Sequence, residues 1–242
     1  ILFINVTNLF MKISKLSVII PSYNEEKTIE KIISEVNSFE TFPKEIIVVD
    51  DGSTDNTRNI LKNIKNQSLK ILHHDRNYGK GKAIQTGIKE SNGDIIIIQD
   101  ADLEYSPTDY EALLRPFLEV DADVVYGSRF LGGRGYVRLH FYFHFIANKL
   151  LTHFSNLFTN LNMTDMETGY KVFKSEVIKS IKLTELSFGI EPEITMKLAK
   201  NRFKFYEVAI SYRGRSYAEG KKITLIDAFK AVYCILKYRF FD

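Results

Sequence analysis

Two aspartates one residue apart, Asp100 and Asp102, follow a run of four isoleucines and Gln99. An uninterrupted apolar run of this kind, Ile95–Ile98, reads as a strand buried on both faces. Two carboxylates at the end of such a strand repel each other and lose hydration unless a cation lies between them. Spaced as D-x-D, they can share one hard divalent ion that keeps open positions for substrate oxygens. Ligands of open α/β sheets also bind at the carboxyl ends of the strands. A polar exit from strand to loop is the plainer reading of the same residues.

Two further apolar runs end in polar groups. Leu16–Pro21 leads into Tyr23 and Glu25, and Glu45–Val49 leads into Asp50 and Asp51. In a parallel sheet all three ends share one edge. That edge would offer hydrogen-bonding groups to a base and ribose and a metal to the phosphates. Neither G-x-x-x-x-G-K-[ST] nor a G-x-G-x-x-G after the first strand is present to cradle phosphate. Charge on the phosphates is then left to the metal and to side chains. This suits a nucleoside diphosphate leaving group stabilised by a Lewis acid.

The elements that must position these groups alternate. Helical spacing of Ile29, Ile32, Ile33 and Val36 follows the first strand. After the second strand, Ser53 or Thr54 is placed to cap a helix carrying Ile60, Leu61 and Ile64. A short strand at Lys70–His73 precedes Asn77–Lys82 and a helix with Ala83, Ile84, Gly87 and Ile88. Pro107 opens a helix with Tyr110, Leu113, Leu114 and Phe117, and Asp123–Gly127 forms a fifth strand. The pattern predicts an α/β fold with a mostly parallel central sheet flanked by helices.

Beyond a hinge-like Leu131–Val137 the texture changes. Leu139–Leu161 is amphipathic, with Leu139, Tyr142, Phe143, Ile146, Leu150, Leu157 and Leu161 near helical spacing. Gly169–Phe173 and Phe205–Ser211 read as strands, with a short helix at Pro192–Lys200 between them. The tail Leu225–Phe241 forms an amphipathic helix with Ile226, Phe229, Tyr233 and Leu236 on one face. The parts divide as an extension (1–14), an α/β half (15–128), a second half of the same domain (129–224) and the tail helix (225–242).

The 242 residues suffice for one large core. One cysteine, Cys234, excludes an internal disulfide and fits a reducing compartment. No run reaches the roughly 18 apolar residues of a spanning helix. The apolar start lacks a basic region and a cleavage site, so no signal peptide is expected, and Met11 is a candidate natural start. The net charge of +3 divides into −6 over residues 1–128 and +9 over 129–242. An acidic half suits a metal, and a basic half suits phosphate or an anionic membrane surface. No nucleic-acid partner is expected. His73, His74, His140, His144 and His153 form no tight set beside a carboxylate and read as structural or exposed.

The stretches IIPSYNEEKTI, VVDDGSTDNT, NYGKGKAIQTG and QDADLEY resemble the family 2 glycosyltransferases in order and spacing. SRF, DMETGYKVF and YRGRSYAEGKKI resemble its branch of dolichol-phosphate mannose synthases and polyprenyl-phosphate glycosyltransferases. The resemblance runs from Lys15 to about Asp227. It implies a GT-A-type nucleotide-sugar-binding fold, a divalent cation and inversion at the sugar carbon. Pro21, Tyr23, Glu25 and Asp51 would then frame base and ribose, with Lys82 and Ala101 also on the nucleotide sugar. Asp100 and Asp102 would hold Mg²⁺ or Mn²⁺. Glu104 stands where the family often has Gln, and would join the metal or cap the next turn. Arg129, Arg213 and Arg215 match positions on donor or acceptor phosphates, and Arg138 and Lys221 are acceptor-phosphate contacts by the same resemblance.

One departure is informative. Family members acting on sugar hydroxyls carry Glu-Asp before a helix, the Asp serving as base. Here Pro192 stands in its place, between Glu191 and Glu193. A phosphate monoester is already an anionic nucleophile and needs no base, only positive charge to position it. The expected reaction is hexose transfer from a UDP- or GDP-sugar to a polyprenyl phosphate, dolichyl or undecaprenyl, feeding glycan or surface-polysaccharide synthesis. The rivals are a hydroxyl-acceptor transferase with Glu191 or Glu193 as base, and a non-catalytic nucleotide-sugar-binding subunit of a membrane partner. A lipid acceptor places the protein in the cytoplasm, peripheral to the membrane, through Phe141 and Phe145, with core or homodimer packing for the tail helix.

Overall fold

The computed structural model describes residues 13–132, 142–214 and 225–241. Its strands are β1 (Leu16–Ser22), β2 (Lys44–Asp50), β3 (Leu69–His73), β4 (Ile95–Ile98), β5 (Val124–Ser128), β6 (Lys171–Lys174) and β7 (Phe205–Ala209). The helices are α1 (Ile29–Asn37), α2 (Thr57–Asn63), α3 (Lys80–Glu90), α4 (Tyr110–Glu119), α5 (Tyr142–Thr159), α6 (Ser175–Lys179), α7 (Ile190–Lys200) and α8 (Leu225–Phe240). One sheet forms in the order β3-β2-β1-β4-β6-β5-β7. Only β6, among these strands, runs against its neighbours. The sheet is therefore mostly parallel, as the alternation of strand and helix predicts.

Both faces of the sheet are covered, which explains the isoleucine run. Side chains alternate across a strand. Ile95 and Ile97 join the cluster under α1 and α4, with Val18, Ile20, Ile29, Ile33 and Leu113. Ile96 and Ile98 join the opposite cluster, with Ile19, Ile84, Ile190, Ile194 and Ile235. Neither face can tolerate a polar residue, so all four positions are apolar.

Register delivers the polar ends to one edge. Ser22 lies opposite Asp50, and Ile19 lies opposite Ile98. Asp100 and Asp102 thus leave the sheet beside the exit of β1. Ser53 and Thr54 do not cap α2. That helix starts at Thr57 after Asn56, and the Thr57 N–H donates to the Asp55 carboxylate at 3.0 Å. Ser53 and Thr54 instead tie the exits of β1 and β2 together. The Asn24 N–H donates to the Ser53 hydroxyl at 3.0 Å, and the Thr54 N–H donates to the Asn24 side-chain oxygen at 2.8 Å.

The two long late helices bury other faces than their spacing suggested. In α8 the buried residues include Ala231, Cys234, Ile235 and Tyr238, while Phe229 and Tyr233 face outward. In α5, Leu151, Phe154 and Phe158 pack on the core, while Tyr142, Leu150 and Leu157 are exposed. Both helices are apolar on more than one side, so spacing alone leaves the buried face undetermined. Mutual packing of α5, α7 and α8 selects it. Phe145 packs edge-on against Phe130, with ring centroids 5.4 Å apart. It is half-buried there. Phe141 lies outside the described residues. No helix of the described residues is long and apolar enough to cross a membrane.

A Cβ added at Gly87 on α3 would stand 2.4 Å from Cγ2 of the fully buried Ile19. Gly87→Ala is expected to destabilise the fold by about 1–3 kcal/mol through overpacking. A lowered urea midpoint with unchanged slope checks it. Burial also pushes the Cys234 thiol up to about 12. A thiol reagent is expected to label Cys234 in urea and not in the folded protein.

Candidate active site

A cleft of about 460 Å³ opens at the carboxyl ends of β1, β2 and β4. Pro21, Tyr23, Glu25 and Asp51 line one side, and Asp100, Ala101, Asp102 and Glu104 line the floor. Arg129 and His144 face it from the far side. The sheet thus brings together most of the residues expected from sequence.

Asp51 is buried and fully engaged. Its Oδ1 lies 2.6 Å from His74 Nδ1, and its Oδ2 accepts the Gly79 N–H at 2.7 Å. The Tyr78 N–H also points to this carboxylate, at 3.0 Å. Asp51 therefore pins the loop that precedes α3. Gly79 has φ +105°, and a Cβ there would lie 2.3 Å from the Leu186 carbonyl oxygen. Only glycine fits, and the turn it makes delivers Lys80 into the cleft as the first residue of α3.

Lys80 Nζ bridges Asp100 Oδ1 at 2.8 Å and Glu191 Oε1 at 3.0 Å. Burial opposes its charge, but the two carboxylates outweigh it and hold its pKa well above the ordinary value. Lys80, not Lys82, is the lysine of the cleft. Lys82 lies two residues further along α3 and does not line the cavity, which corrects the sequence expectation. The pattern NYGKGK contained the signal, because the lysine at the first turn sits nearest the strand ends.

Glu167 and Glu191 also line the cleft. Glu191 Oε2 and Glu167 Oε1 are sealed from solvent and have no hydrogen-bond partner among the described residues. Burial, and then the Glu191 carboxylate, push the Glu167 carboxyl up to about 7. Behind them Lys171 donates to the Met166 and Thr168 carbonyls, and burial lowers its pKa to about 8. Glu167 was missed as a site residue from sequence, although it lies within DMETGYKVF. Nothing in that stretch shows that its side chain meets the far side of the sheet edge.

Arg129 makes a two-pronged ion pair with Asp165, Nε to Oδ2 and Nη2 to Oδ1, each at 2.7 Å. Burial opposes this charge too, and Asp165 more than restores it. Glu104 accepts a hydrogen bond from the Tyr212 hydroxyl at 2.6 Å. Among the described residues no three His, Cys, Asp or Glu side chains gather to hold a metal ion. The expected Asp100, Asp102 and Glu104 set is therefore not gathered among these residues, although Glu104 lines the same cleft. Two hard carboxylates in one cleft still fit Mg²⁺ or Mn²⁺, which complete their shells from substrate oxygens and water.

Glu193 does not belong to the site. It is fully buried, accepts the Thr184 and Glu185 N–H groups at 2.8 and 2.7 Å, and pairs with Lys197 at 3.0 Å. On α7 it points away from Glu191 by helical geometry. Arg213 is exposed and does not line the cleft, while its neighbour Tyr212 does. Arg138, Arg215 and Lys221 lie outside the described residues.

The family model for "Glycosyl transferase family 2" matches residues 17–182. The chain belongs to glycosyl transferase family 2. A dolichol-phosphate mannosyltransferase of Pyrococcus furiosus is 28% identical over 232 residues, covering 93% of this chain and 64% of its own length. The chain thus spans under two thirds of that relative. A UDP-N-acetylglucosamine–dolichyl-phosphate N-acetylglucosaminyltransferase of Methanococcus voltae is 27% identical, covering 90% of this chain and 93% of its own. In fold, the chain matches glucosyl-3-phosphoglycerate synthase of Mycobacterium tuberculosis, crystallised with Mn²⁺ and UDP. The TM-score is 0.72 at 19% identity, over 97% of this chain and 81% of that one.

The raised Glu167 pKa has a definite sign. The folded protein holds that proton more tightly than the unfolded chain, so the stabilisation is complete below the ordinary carboxylate range. It is lost as pH rises through about 7. Glu167→Gln is expected to flatten the fall in stability between mildly acidic and mildly alkaline pH, read by urea melts.

Proposed function

We propose that this family 2 chain transfers a hexose from a nucleoside diphosphate sugar to a polyprenyl phosphate, with inversion. The observation that carries the reading is the convergence of Tyr23, Glu25, Asp51, Asp100 and Asp102 from three parallel strand ends on one cleft. Two relatives whose names specify dolichol-phosphate or dolichyl-phosphate transfer support the acceptor class. The activity of the whole protein remains part of this proposal.

The nucleoside lies against Pro21, Tyr23, Glu25 and Asp51. Asp100 and Asp102 would hold Mg²⁺ or Mn²⁺, which supplies Lewis-acid charge for the departing diphosphate. Lys80 supplies a second positive charge on the same floor. The acceptor phosphate oxygen forms a bond to the anomeric carbon from the face opposite the nucleotide. The bond from that carbon to the diphosphate oxygen breaks, and the electron pair leaves with the nucleoside diphosphate. No proton need be removed from the acceptor, so no base is required. Arg129 presents its guanidinium from the far wall, oriented by Asp165 and the Tyr212 ring 5.1 Å away. Arg138, Arg215 and Lys221 complete the acceptor side on the resemblance alone. The cytoplasmic membrane face and a metal requirement belong to the same proposal.

A hydroxyl-acceptor transferase is the second reading, favoured by the placement of Glu191 in the cleft. It loses Glu193 as a base, and the Glu191 Oε1 it would use is held by Lys80.

Incubation with Mg²⁺ or Mn²⁺, a polyprenyl phosphate and labelled UDP- and GDP-sugars is expected to move label into the organic phase. Label confined to water-soluble glycan supports the second reading instead. Asp102→Ala is expected to lower transfer by at least about a hundredfold, the scale of several kcal/mol of charge stabilisation. Chelation should do the same, and undiminished transfer in either case refutes the role given to the floor. Gly169→Ala tests the floor indirectly, since its Cβ would stand 2.3 Å from Asp100 Oδ2. It should reduce transfer while the fold persists.

A further inference from the structure

The helix that delivers Lys80 has no side-chain cap. Its flanking residue is Gly79, which has no side chain to offer. Such a helix start leaves backbone N–H groups in need of acceptors. A distant segment supplies one, for the Lys82 N–H donates to the Leu186 carbonyl at 3.1 Å. The adjacent Glu185 carbonyl accepts from the Gln85 side chain at 2.8 Å. The approach is close: a Cβ at Gly79 would stand 2.3 Å from the Leu186 carbonyl oxygen, and one at Gly81 2.3 Å from that of Glu185.

This capping segment lies between α6 and α7 and belongs to neither helix nor strand. Thr184 and Leu186 are exposed, so its place is set by its backbone hydrogen bonds and not by burial of its side chains. Those bonds run to opposite sides. The Glu185 and Leu186 carbonyls go to α3. The Thr184 and Glu185 N–H groups go to the Glu193 carboxylate on α7, at 2.8 and 2.7 Å. The Thr184 hydroxyl adds a bond to Glu193 at 2.8 Å. Glu193 is fully buried beside Lys197, so the carboxylate that anchors the segment is itself fixed.

Lys80 stands between two grips. Asp51 holds the residues before it through the Tyr78 and Gly79 N–H groups, and the Leu186 carbonyl holds the turn after it. From that position its ammonium reaches Asp100 and Glu191. Helix ends without caps fray, and Lys80 is the first residue of this one.

We infer that Glu193 is a positioning residue: by fixing residues 184–186 it caps α3 from outside and sets Lys80 on the cleft floor for the diphosphate of the donor. This rests on the proposed nucleotide-sugar reading of the cleft. It gives the second of the two glutamates flanking Pro192 a part in donor binding without contact to the substrate.

Calorimetric titration of UDP and GDP in saturating Mg²⁺, over a double-mutant cycle of Glu193→Gln and Lys80→Met, tests it. Glutamine keeps the size of Glu193 but has one acceptor oxygen, so it cannot hold the segment by both ends of a carboxylate. The wild type is expected to bind at least one of the two nucleotides. Lys80→Met should weaken that binding by about tenfold or more, the scale of a hydrogen bond to a charged group. Glu193→Gln should weaken it by about threefold or more, but by less than about twofold once Lys80 is Met. A residue that serves stability alone lowers the urea midpoint and changes binding equally in both backgrounds. That result overturns the inference and leaves the proposed function intact. Wild-type affinity in a folded Glu193→Gln or in Lys80→Met does the same. Gln85→Ala loosens the segment from the α3 side with the buried carboxylate untouched, and should show the same dependence on Lys80. If Glu193→Gln fails to fold, Gln85→Ala decides by that comparison. If the wild type binds neither nucleotide, the proposed function falls and the inference with it.

Discussion

The Lys80 ammonium holds two carboxylates that would otherwise repel each other across the cleft floor, Asp100 at 2.8 Å and Glu191 at 3.0 Å. Asp100 ends β4 in one half of the sheet, and Glu191 opens α7 in the other half of the chain. One cation therefore joins the β4 end of the cleft to the far wall. Its own placement depends on the Gly79 turn, which Asp51 pins through the Tyr78 and Gly79 N–H groups. A divalent ion on Asp100 must share or take over this carboxylate. Binding of such an ion would be coupled to the position of Lys80, since both would draw on the same carboxylate.

The far wall is built from mutually compensating charges. Asp165 neutralises Arg129, and Glu207 on β7 accepts the Thr164 N–H at 2.9 Å and the Asp165 N–H at 3.2 Å, fixing the segment that carries Asp165. Lys171 lies behind Glu167 with its ammonium on backbone carbonyls. Among the described residues, the basic groups on this wall are therefore paired or hydrogen-bonded. Arg129 is held rigidly by its partner. Rigid placement matters more here than the sum of charges, because a low-dielectric cleft amplifies each fixed group.

The paired helices α5 and α8 close the opposite side. Their core-facing residues range from Ala231 and Cys234 to Phe154 and Tyr238, and both helices pack on α7. Large apolar side chains such as Leu157 and Phe229 are left on the outside. The cleft reaches these helices through Phe145 and Ala231, so its floor is charged while its outer wall is apolar. That division suits a substrate with a phosphate at one end and hydrocarbon beyond it.

The sheet was legible in the sequence because its residues obey a local rule. Ile95–Ile98 must be apolar at every position when both faces are covered, and Ser22, Asp50 and Asp100 mark where that cover ends. The floor, Asp100 and Asp102, followed from spacing along one strand. Other features depend on contacts between distant segments, which no local pattern encodes. Glu191 and Glu193 are two residues apart on one helix, yet the first enters the cleft and the second is locked by Thr184, Glu185 and Lys197. Lys80 enters the cleft in place of Lys82, and Glu104 meets the Tyr212 hydroxyl, for the same reason. Sequence determined which groups stand at the strand ends. Tertiary packing decided which of them meet, because pairing of a buried charge is settled by whichever opposite group the fold brings within reach.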